Sequence, residues 1–383
     1  TKRMKKNNNI FQAVISVYVF ISFFLLPVNL SRYINAVFLI ICTVFYLLLL
    51  ITNKKILIAN IIIIVVTTLV VLTNLIFSDF GFYDLLIVSW NILIATILYK
   101  NELSPKSCYL KFYIFCTIFL TLYFFYYLLN INIFSQINYF HLYSSWDKNY
   151  SAVIVFLYMC LSIKINRKYG FALGILYTII LNSRMLQLCS IVAILIYFFD
   201  RRNVSARKEL HGPLTKKPSI MIYFLSILTV ALSYYMTFNI DTRVISSYQE
   251  TLYDKSNAIR VRANVYAIKN IVNNPMHVIY GYDNGIKKQL NVEDENTAVI
   301  YQGYRLVQPH NFLLNFILRY GLIYAIIYLL ILDKLLLPYL YKENRFIIYP
   351  YLIMNMIMHS LLSTGLLIFF IYVLAYKEDK NHE

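Results

Sequence analysis

Residues 108–129 read CYLKFYIFCTIFLTLYFFYYLL, in which Lys111 is the one charged side chain. A helix of about 20 apolar residues can cross a bilayer, and backbone in lipid must satisfy its own hydrogen bonds. This segment therefore predicts a transmembrane helix. Similar runs predict about twelve spans, at 10–28, 34–52, 56–77, 85–99, 108–129, 149–165, 169–181, 185–199, 219–239, 309–332, 346–359 and 361–376. The last two can instead form one long helix, and two helices would break between Ser360 and Gly365.

The composition of the whole chain agrees with this pattern. Of 383 residues, 60% are hydrophobic and 14% are charged, and the mean hydropathy is +0.62. A soluble domain is about a quarter charged, and intrinsic disorder requires low hydrophobicity. The composition excludes both classes and predicts an all-α polytopic membrane protein. The first apolar run is not followed by a small-residue cleavage site, so we expect it to be a retained helix.

The basic residues indicate an orientation. Lys and Arg number 35 against 18 Asp and Glu, for a formal net charge of +17. They are dispersed between the apolar runs, which favours a role in membrane orientation over nucleic-acid binding. With a cytoplasmic N-terminus, the basic connections Lys54-Lys55, 100–106, Arg167-Lys168 and 200–218 lie inside, as the positive-inside rule requires. We expect no nucleic-acid partner.

One connection is much longer than the others and lies outside in this orientation. It divides the chain into an N-terminal bundle of about nine helices at 1–239, an extracytoplasmic loop domain at 240–308 and C-terminal transmembrane helices at 309–383. A loop of this length in a compact protein is usually functional. Apolar and polar residues recur at helical spacing over 256–273, which predicts an amphipathic helix within the loop.

Residues typical of helix ends and turns follow that helix. Pro275 is expected to end it, and Gly281 and Gly285 mark turns.

The five cysteines lie in or at the edge of apolar runs, and none falls in the loop: Cys42, Cys108, Cys116, Cys160 and Cys189. This placement argues against a disulfide framework or a metal cluster. No Gly-rich phosphate loop, GxSxG, CxxC or HExxH motif is present, and we expect neither a metal nor a cofactor.

Three arginines are candidates for binding an anion. Arg184 opens a span on the outer side, against the charge bias, and an ionisable residue at membrane depth suggests function. The alternative is an arginine that snorkels to lipid headgroups. Arg260 and Arg262 lie on the predicted loop helix, two residues apart and on different sides. A guanidinium suits phosphate because it donates two parallel hydrogen bonds, although surface charges on a solvated helix are an equal alternative.

His310 is the candidate base. It is expected in the first turn of an outer-facing helix, where the helix N-terminus disfavours imidazolium. A neutral imidazole can take a proton from a sugar hydroxyl. Asn311 can cap the helix or orient the substrate, and Arg305 precedes His310 by five residues. The alternative is a boundary histidine that hydrogen-bonds only the loop.

Together these features resemble a known family, the Wzy-type repeat-unit polymerases and O-antigen ligases of bacterial envelopes. The long outer loop is one of four features that carry the resemblance. The others are Ser183-Arg184 opening a span, the segment 260–275 with Ala267 and Asn274-Pro275 in step, and His310-Asn311 followed by Leu314 and Gly321. The last is similar to the family's His-Asn-x-x-Leu motif and is the most specific of the four.

The chain departs from the family pattern at two points. Asn264 occupies a position where the family often has an aromatic residue, and Tyr266 follows two residues later. Gly281 comes six residues after Pro275, where the family has a glycine about three residues after. Spacing to the proline favours Arg260 over Arg262 as the matching arginine.

The resemblance implies a fold and an activity. It implies a GT-C-like helical membrane fold in the bacterial cytoplasmic membrane, and an undecaprenyl-pyrophosphate-linked oligosaccharide as both donor and acceptor. The substrate-binding residues would be Arg184, Arg260, Arg262, Arg305, Asn311 and Tyr266, and His310 would be catalytic. Cations suit the charge that develops on a pyrophosphate leaving group, so we expect metal independence. A chain-length regulator and a flippase are further candidate partners.

Three other functions remain open at the level of the sequence. An O-antigen ligase would use the same donor and transfer the glycan to lipid A core. A flippase or exporter of lipid-linked sugars would need the arginines but not a base at His310. A structural membrane scaffold would require neither Arg184 nor His310.

Overall fold

The structure is a computed structural model that describes residues 2–20, 106–130, 148–202, 213–214, 217–239, 275–281, 309–358 and 365–376, with a few single positions between them. These residues are mostly helical. The helices are α1 (Lys2–Phe20), α2 (Lys106–Asn130), α3 (Lys148–Lys164), α4 (Lys168–Ile180), α5 (Arg184–Arg202), α6 (Pro218–Asn239), α7 (Pro275–Tyr280), α8 (Phe312–Tyr320), α9 (Leu322–Leu336), α10 (Arg345–Met354) and α11 (Gly365–Ala375). Strands β1 (Ile300–Tyr301) and β2 (Tyr304–Arg305) form an antiparallel pair. Short 3-10 turns cover Leu337–Tyr339 and Lys342–Asn344.

Helix α2 contains the segment with the strongest transmembrane character. Among the described residues, Lys106–Tyr126 is the one helix long and apolar enough to cross a membrane, with a mean hydropathy of 1.7. Shorter apolar helical segments cover Ser151–Lys164, Lys168–Ile180, Pro218–Leu232 and Leu366–Ala375. The all-helical character predicted for these segments is therefore confirmed.

The three spans predicted between α1 and α2 cannot be compared with the structure. Two of them, 56–77 and 85–99, lie outside the described residues, and 34–52 contributes four described positions, all helical. The number of spans therefore stays a prediction. At the N-terminus, α1 begins at Lys2, earlier than the predicted 10–28.

Helix α3 is the centre of the bundle. Every side chain from Ser151 to Ser162 has 0% exposure. A helix that is apolar around its whole circumference is expected to be buried on all sides, and α3 accordingly packs against α2, α4, α5 and α11. Aromatic rings extend this core, since Tyr109 of α2 stacks on Tyr372 of α11 with ring centroids 4.4 Å apart.

Two glycines let α4 approach its neighbours closely. The backbone N–H of Gly170 donates to Tyr113 Oη of α2 at 2.9 Å. Gly174 lies against Met159 of α3, where an added Cβ would be 2.9 Å from the Met159 Cβ. Small residues at helix contacts are a common packing device in membrane bundles, and here they allow α4 to lie directly on α3.

The predicted span 309–332 is wrong as one continuous helix. Gly321 separates α8 from α9 with φ 83 and ψ 161, a region of backbone conformation that is essentially restricted to glycine. The rings of Phe316 and Tyr328 are 4.8 Å apart, whereas twelve residues of continuous helix span about 18 Å. Helix α8 therefore folds back along α9, because the glycine turns the chain inside an uninterrupted apolar run.

The C-terminal apolar segment forms two helices. Helix α10 ends at Met354, residues 355–357 form a turn, and α11 begins at Gly365. The alternative of one long helix over 346–376 is therefore wrong. The chain leaves the helix just before Asn355, so the break begins earlier than the predicted Ser360, which itself lies outside the described residues.

Polar contacts tie together one end of the bundle. Arg345 of α10 forms a bidentate ion pair with Asp200 of α5, with its Nε donating to Asp200 Oδ2 at 2.7 Å. Asp333 of α9 accepts hydrogen bonds from the backbone N–H of Ser219, at 2.9 Å, and from its hydroxyl. A carboxylate suits the N-terminus of α6, where the helix dipole favours negative charge.

A lysine completes this polar end. Lys164 Nζ donates to Asn344 Oδ1 at 2.9 Å and to the backbone carbonyls of Val373 and Leu374 at 3.2 and 3.0 Å. A cation suits the C-terminal carbonyls of α11. These contacts bring the ends of α3, α5, α9 and α11 and the starts of α6 and α10 to the same end of the bundle.

Candidate active site

Asn311 fixes the start of α8. Its backbone is extended, with φ −147 and ψ 124, and its side-chain oxygen accepts from the backbone N–H of Leu314 at 3.1 Å. Its side-chain nitrogen donates to the carbonyl of Ser226 in α6 at 3.2 Å. The side chain has 0% exposure. The capping role predicted for Asn311 is confirmed, and its contact with substrate stays a prediction.

His310 lies immediately before this cap and is half-buried. The expectation that it occupies the first turn of the helix is wrong, because the extended backbone of Asn311 makes Phe312 the first helical residue. The imidazole is therefore carried by an irregular segment whose end is held by two side-chain hydrogen bonds. A short segment anchored in this way restricts the positions open to the ring, as a catalytic group requires.

The N-terminus of α8 rests on the C-terminal end of α10. The backbone N–H of Phe312 donates to the carbonyl of Asn355 at 3.1 Å. Asn355 Nδ2 donates to the carbonyl of Tyr351 at 2.8 Å. Three elements, α6, α8 and the end of α10, thus meet around Asn311.

Two buried oxygen atoms at this junction lack a hydrogen bond within the described structure: Ser226 Oγ and Asn355 Oδ1. Both side chains have 1% exposure. An unsatisfied buried polar atom costs roughly 1–3 kcal/mol, and such atoms are places where water or a polar ligand gains a hydrogen bond. Neither residue was predicted from the sequence, although each is a polar side chain within an apolar run, a pattern that suggests function.

Arg184 opens α5 and is exposed. Helices α5 and α10 run antiparallel, since Asp200 pairs with Arg345 and Cys189 Sγ lies 3.6 Å from the carbonyl of Pro350. Arg184 therefore lies beyond this second contact, on the side away from Asp200 and toward which α10 ends.

The loop domain also reaches α8. Positions 264, 267, 268, 271 and 272 are helical, in agreement with the helix predicted over 256–273. Ala267, with 1% exposure, packs in one buried cluster with Leu314 and Leu318 of α8. The small side chain brings the loop helix directly onto the helix that follows His310.

Pro275 begins the short helix α7. The predicted end of the preceding loop helix at this proline falls at positions 273–274, which lie outside the described residues. Proline is favoured in the first turn of a helix because its missing N–H has no intrahelical partner there. Gly281 then has φ 85, which confirms the predicted turn.

Several predicted site residues cannot be placed. Arg260, Arg262 and Tyr266 lie outside the described residues, and Arg305 is described by its backbone alone, in β2 opposite Ile300. Among the described residues, no group of three or more His, Cys, Asp or Glu side chains is arranged to hold a metal ion. Cys108, Cys116, Cys160 and Cys189 are free thiols.

Comparison with known proteins gives no assignment. No family model, no curated protein and no solved structure matches the chain. The functional conclusion therefore depends on the residues and the geometry described above.

Proposed function

We propose that this protein is a membrane glycosyltransferase that polymerises undecaprenyl-pyrophosphate-linked oligosaccharide repeat units into a surface polysaccharide, a capsule or O-antigen. The contact of Ala267 with Leu314 is the observation that carries the proposal. These residues belong to the two segments that carry the family resemblance, and they are separated by a long stretch of sequence. Their packing is expected if both segments serve one site.

The proposed site would lie on the outer side of the bacterial cytoplasmic membrane. The chain would cross the membrane about twelve times in a GT-C-like arrangement, since each apolar run of about 20 residues can span it. The polar end formed by Lys164, Asp200 and Asp333 would face the cytoplasm. Arg184, at the opposite end of α5 from Asp200, would then face the outer side.

The chemistry divides between a base and several cations. His310 would accept the proton of the attacking sugar hydroxyl as the new glycosidic bond forms and the bond to pyrophosphate breaks. Arg184, with Arg260, Arg262 and Arg305 of the loop domain, would stabilise the negative charge that develops on the leaving pyrophosphate. The activated donor bond supplies the free energy, so nucleotide hydrolysis is not required.

The junction around Asn311 supports this division of roles. Asn311 is fully buried and holds α8 to α6, so it would position His310. The unsatisfied oxygens of Ser226 and Asn355 would accept hydrogen bonds from sugar hydroxyls that enter the junction, a common way to orient a carbohydrate. Arg184, at the end of α5 remote from Asp200, would supply a cation for the pyrophosphate.

A polymerisation assay tests the proposal directly. Purified full-length protein would be incubated with lipid-linked repeat units and EDTA, without nucleotide, and the glycans separated on a gel. We expect a ladder of products from the unmodified protein and monomer alone from His310→Ala. A ladder that survives His310→Ala would refute the role of the base. Transfer only to added lipid A core would identify a ligase, and transport without transfer would favour a flippase.

A second pair of variants tests the packing of the loop domain on α8. Ala267→Leu adds volume inside the buried cluster and should lower polymerisation at least about tenfold by displacing the loop helix, since small shifts in site geometry have large effects on rate. Val272→Leu is the control, because this residue of the same helix is 70% exposed. Equal activity of the two variants would show that the contact has no role in the reaction.

A further inference from the structure

A cavity of about 100 Å³ lies where the α3–α4 turn meets the end of α5. Its apolar wall is formed by Phe171, Ile194, Tyr197 and Phe198. The cavity lies on the polar end of the bundle, away from the His310 junction, because Tyr197 and Phe198 are within one helical turn of Asp200. It is therefore separate from the proposed active site.

Two cations stand at the rim of this cavity. Arg167 and Lys168 are both exposed and both line it, and no carboxylate is among the residues that line it. Asn166 has φ 56, a left-handed conformation that asparagine tolerates better than most residues. It produces the tight turn that places both cations beside the apolar wall.

The backbone at the rim also favours an anion. Arg167 is the N-cap of the 13-residue helix α4, and it makes no side-chain capping hydrogen bond. The first N–H groups of a helix have no acceptor within the helix. Gly170 N–H is bonded to Tyr113 Oη, which leaves the N–H groups of Lys168 and Tyr169 as uncapped donors at the positive end of the helix.

An apolar stripe on α5 leads away from the cavity. Leu188, Ile191, Leu195 and Phe198 recur at helical spacing and are 50–56% exposed. Leu188 and Phe198 are ten residues apart, or about 15 Å along the helix. Such a surface beside an apolar cavity accommodates a hydrocarbon chain.

We propose that this cavity binds an anionic glycerophospholipid of the cytoplasmic leaflet. The phosphate would lie on Arg167, Lys168 and the α4 N-terminus, and an acyl chain would follow the stripe on α5. A guanidinium can bond a phosphate through two parallel hydrogen bonds, and cytoplasmic leaflets attract basic residues at the membrane surface. The proposal depends on the membrane location of the chain but not on its glycosyltransferase activity.

Native mass spectrometry of the full-length protein in detergent tests this site. The protein would be titrated with phosphatidylglycerol and, separately, with phosphatidylcholine. We expect tighter binding of phosphatidylglycerol. We expect a loss of at least about tenfold, or about 1.4 kcal/mol, in the double variant Arg167→Ala/Lys168→Ala, since charge-assisted hydrogen bonds are stronger than neutral ones.

The matched control is Lys217→Ala/Lys334→Ala. These two lysines are exposed and belong to the same predicted face, but they do not line the cavity. This variant should bind phosphatidylglycerol within about twofold of the unmodified protein, a difference of roughly 0.4 kcal/mol. An equal loss of phosphatidylglycerol binding in both double variants would show that binding depends only on the overall charge of this face, and would overturn the proposal.

A third variant separates a lipid from a free anion. Ile194→Trp fills the apolar wall without changing the charge, and it should weaken phosphatidylglycerol binding while the melting temperature confirms that the protein is folded. If the Ile194→Trp variant does not fold, a competition experiment with inorganic phosphate on the unmodified protein is used instead. Displacement of phosphatidylglycerol by millimolar phosphate would show an anion site without lipid recognition, and retained binding by Arg167→Ala/Lys168→Ala would overturn the proposal.

Discussion

Substitution of Gly170 by alanine should destabilise the bundle at the contact between α2, α3 and α4. An ideal Cβ at this position would lie 2.4 Å from Tyr113 Cε2, 2.6 Å from Tyr113 Oη and 2.6 Å from Ser162 Oγ. The Ser162 hydroxyl can rotate, but the Tyr113 ring is stacked on Tyr158 with centroids 5.8 Å apart and an interplanar angle of 8°. The added methyl group therefore displaces either the ring or the helix.

The expected magnitude follows from three contributions. Overpacking of a well-packed core costs about 1–3 kcal/mol, and loss of the Gly170 N–H bond to Tyr113 costs about 0.5–1.5 kcal/mol. The helix preference of alanine over glycine offsets about 1 kcal/mol. We expect Gly170→Ala to lower the free energy of unfolding by about 0.5–3.5 kcal/mol.

The assay is reversible unfolding of the purified protein in mixed micelles, followed by circular dichroism. Tyr113→Ala removes the obstructing ring, so the double variant Gly170→Ala/Tyr113→Ala should be more stable than the sum of the single effects by at least about 1 kcal/mol. Ala172→Leu, an enlargement at an exposed position of α4, should change the stability by less than about 0.5 kcal/mol. Additive effects of the two single substitutions would refute the close approach.

Three further substitutions test other parts of the structure. Gly321→Ala should destabilise by about 1–3 kcal/mol, because alanine cannot adopt φ 83 and ψ 161 without strain; an unchanged melting temperature would contradict the fold-back of α8. Asn311→Ala should cost about 1–2 kcal/mol through loss of the cap. Asn311→Ser is the control that keeps a neutral capping oxygen, and equal melting temperatures for both variants would count against the cap. Asp200→Ala should lower the free energy of unfolding by about 1–2 kcal/mol. This is less than the roughly 3–5 kcal/mol for a fully buried pair, because the Arg345 side chain is 37% exposed. A loss of stability that stays the same in 1 M salt, where the Debye length is about 3 Å, would argue against an electrostatic origin.

The sequence predicted which apolar segments form helices, because helix formation there depends on local composition. The apolar runs at 108–129, 149–165, 169–181 and 219–239 are helical within one or two residues of the predicted bounds. Such runs were predicted as helices because a backbone in lipid must satisfy its own hydrogen bonds. The same reasoning failed at 309–332, where one glycine within the run redirects the chain and leaves no trace in the average hydropathy.

The candidate site was only partly predictable. The motif indicated His310 and Asn311, and the capping function of Asn311 follows from its residue type before an apolar run. Ser226 and Asn355 were missed because their relation to Asn311 depends on the packing of α6 and α10 around α8. The packing of Ala267 on Leu314 was not predicted, since helical periodicity indicates which face is apolar but not which helix covers it.

The sequence by itself determined the helical class of the protein, the approximate bounds of its helices and the charge pattern from which an orientation is predicted. These properties follow from the composition of each segment and the periodicity of its side chains. The tertiary structure decided that α8 folds back on α9, that α4 approaches α3 through glycines, and that α6, α8 and the end of α10 meet around Asn311. These relations arise from contacts between residues far apart in the chain. The free energy that stabilises them comes from packing between segments, so the sequence of one segment alone does not predict them.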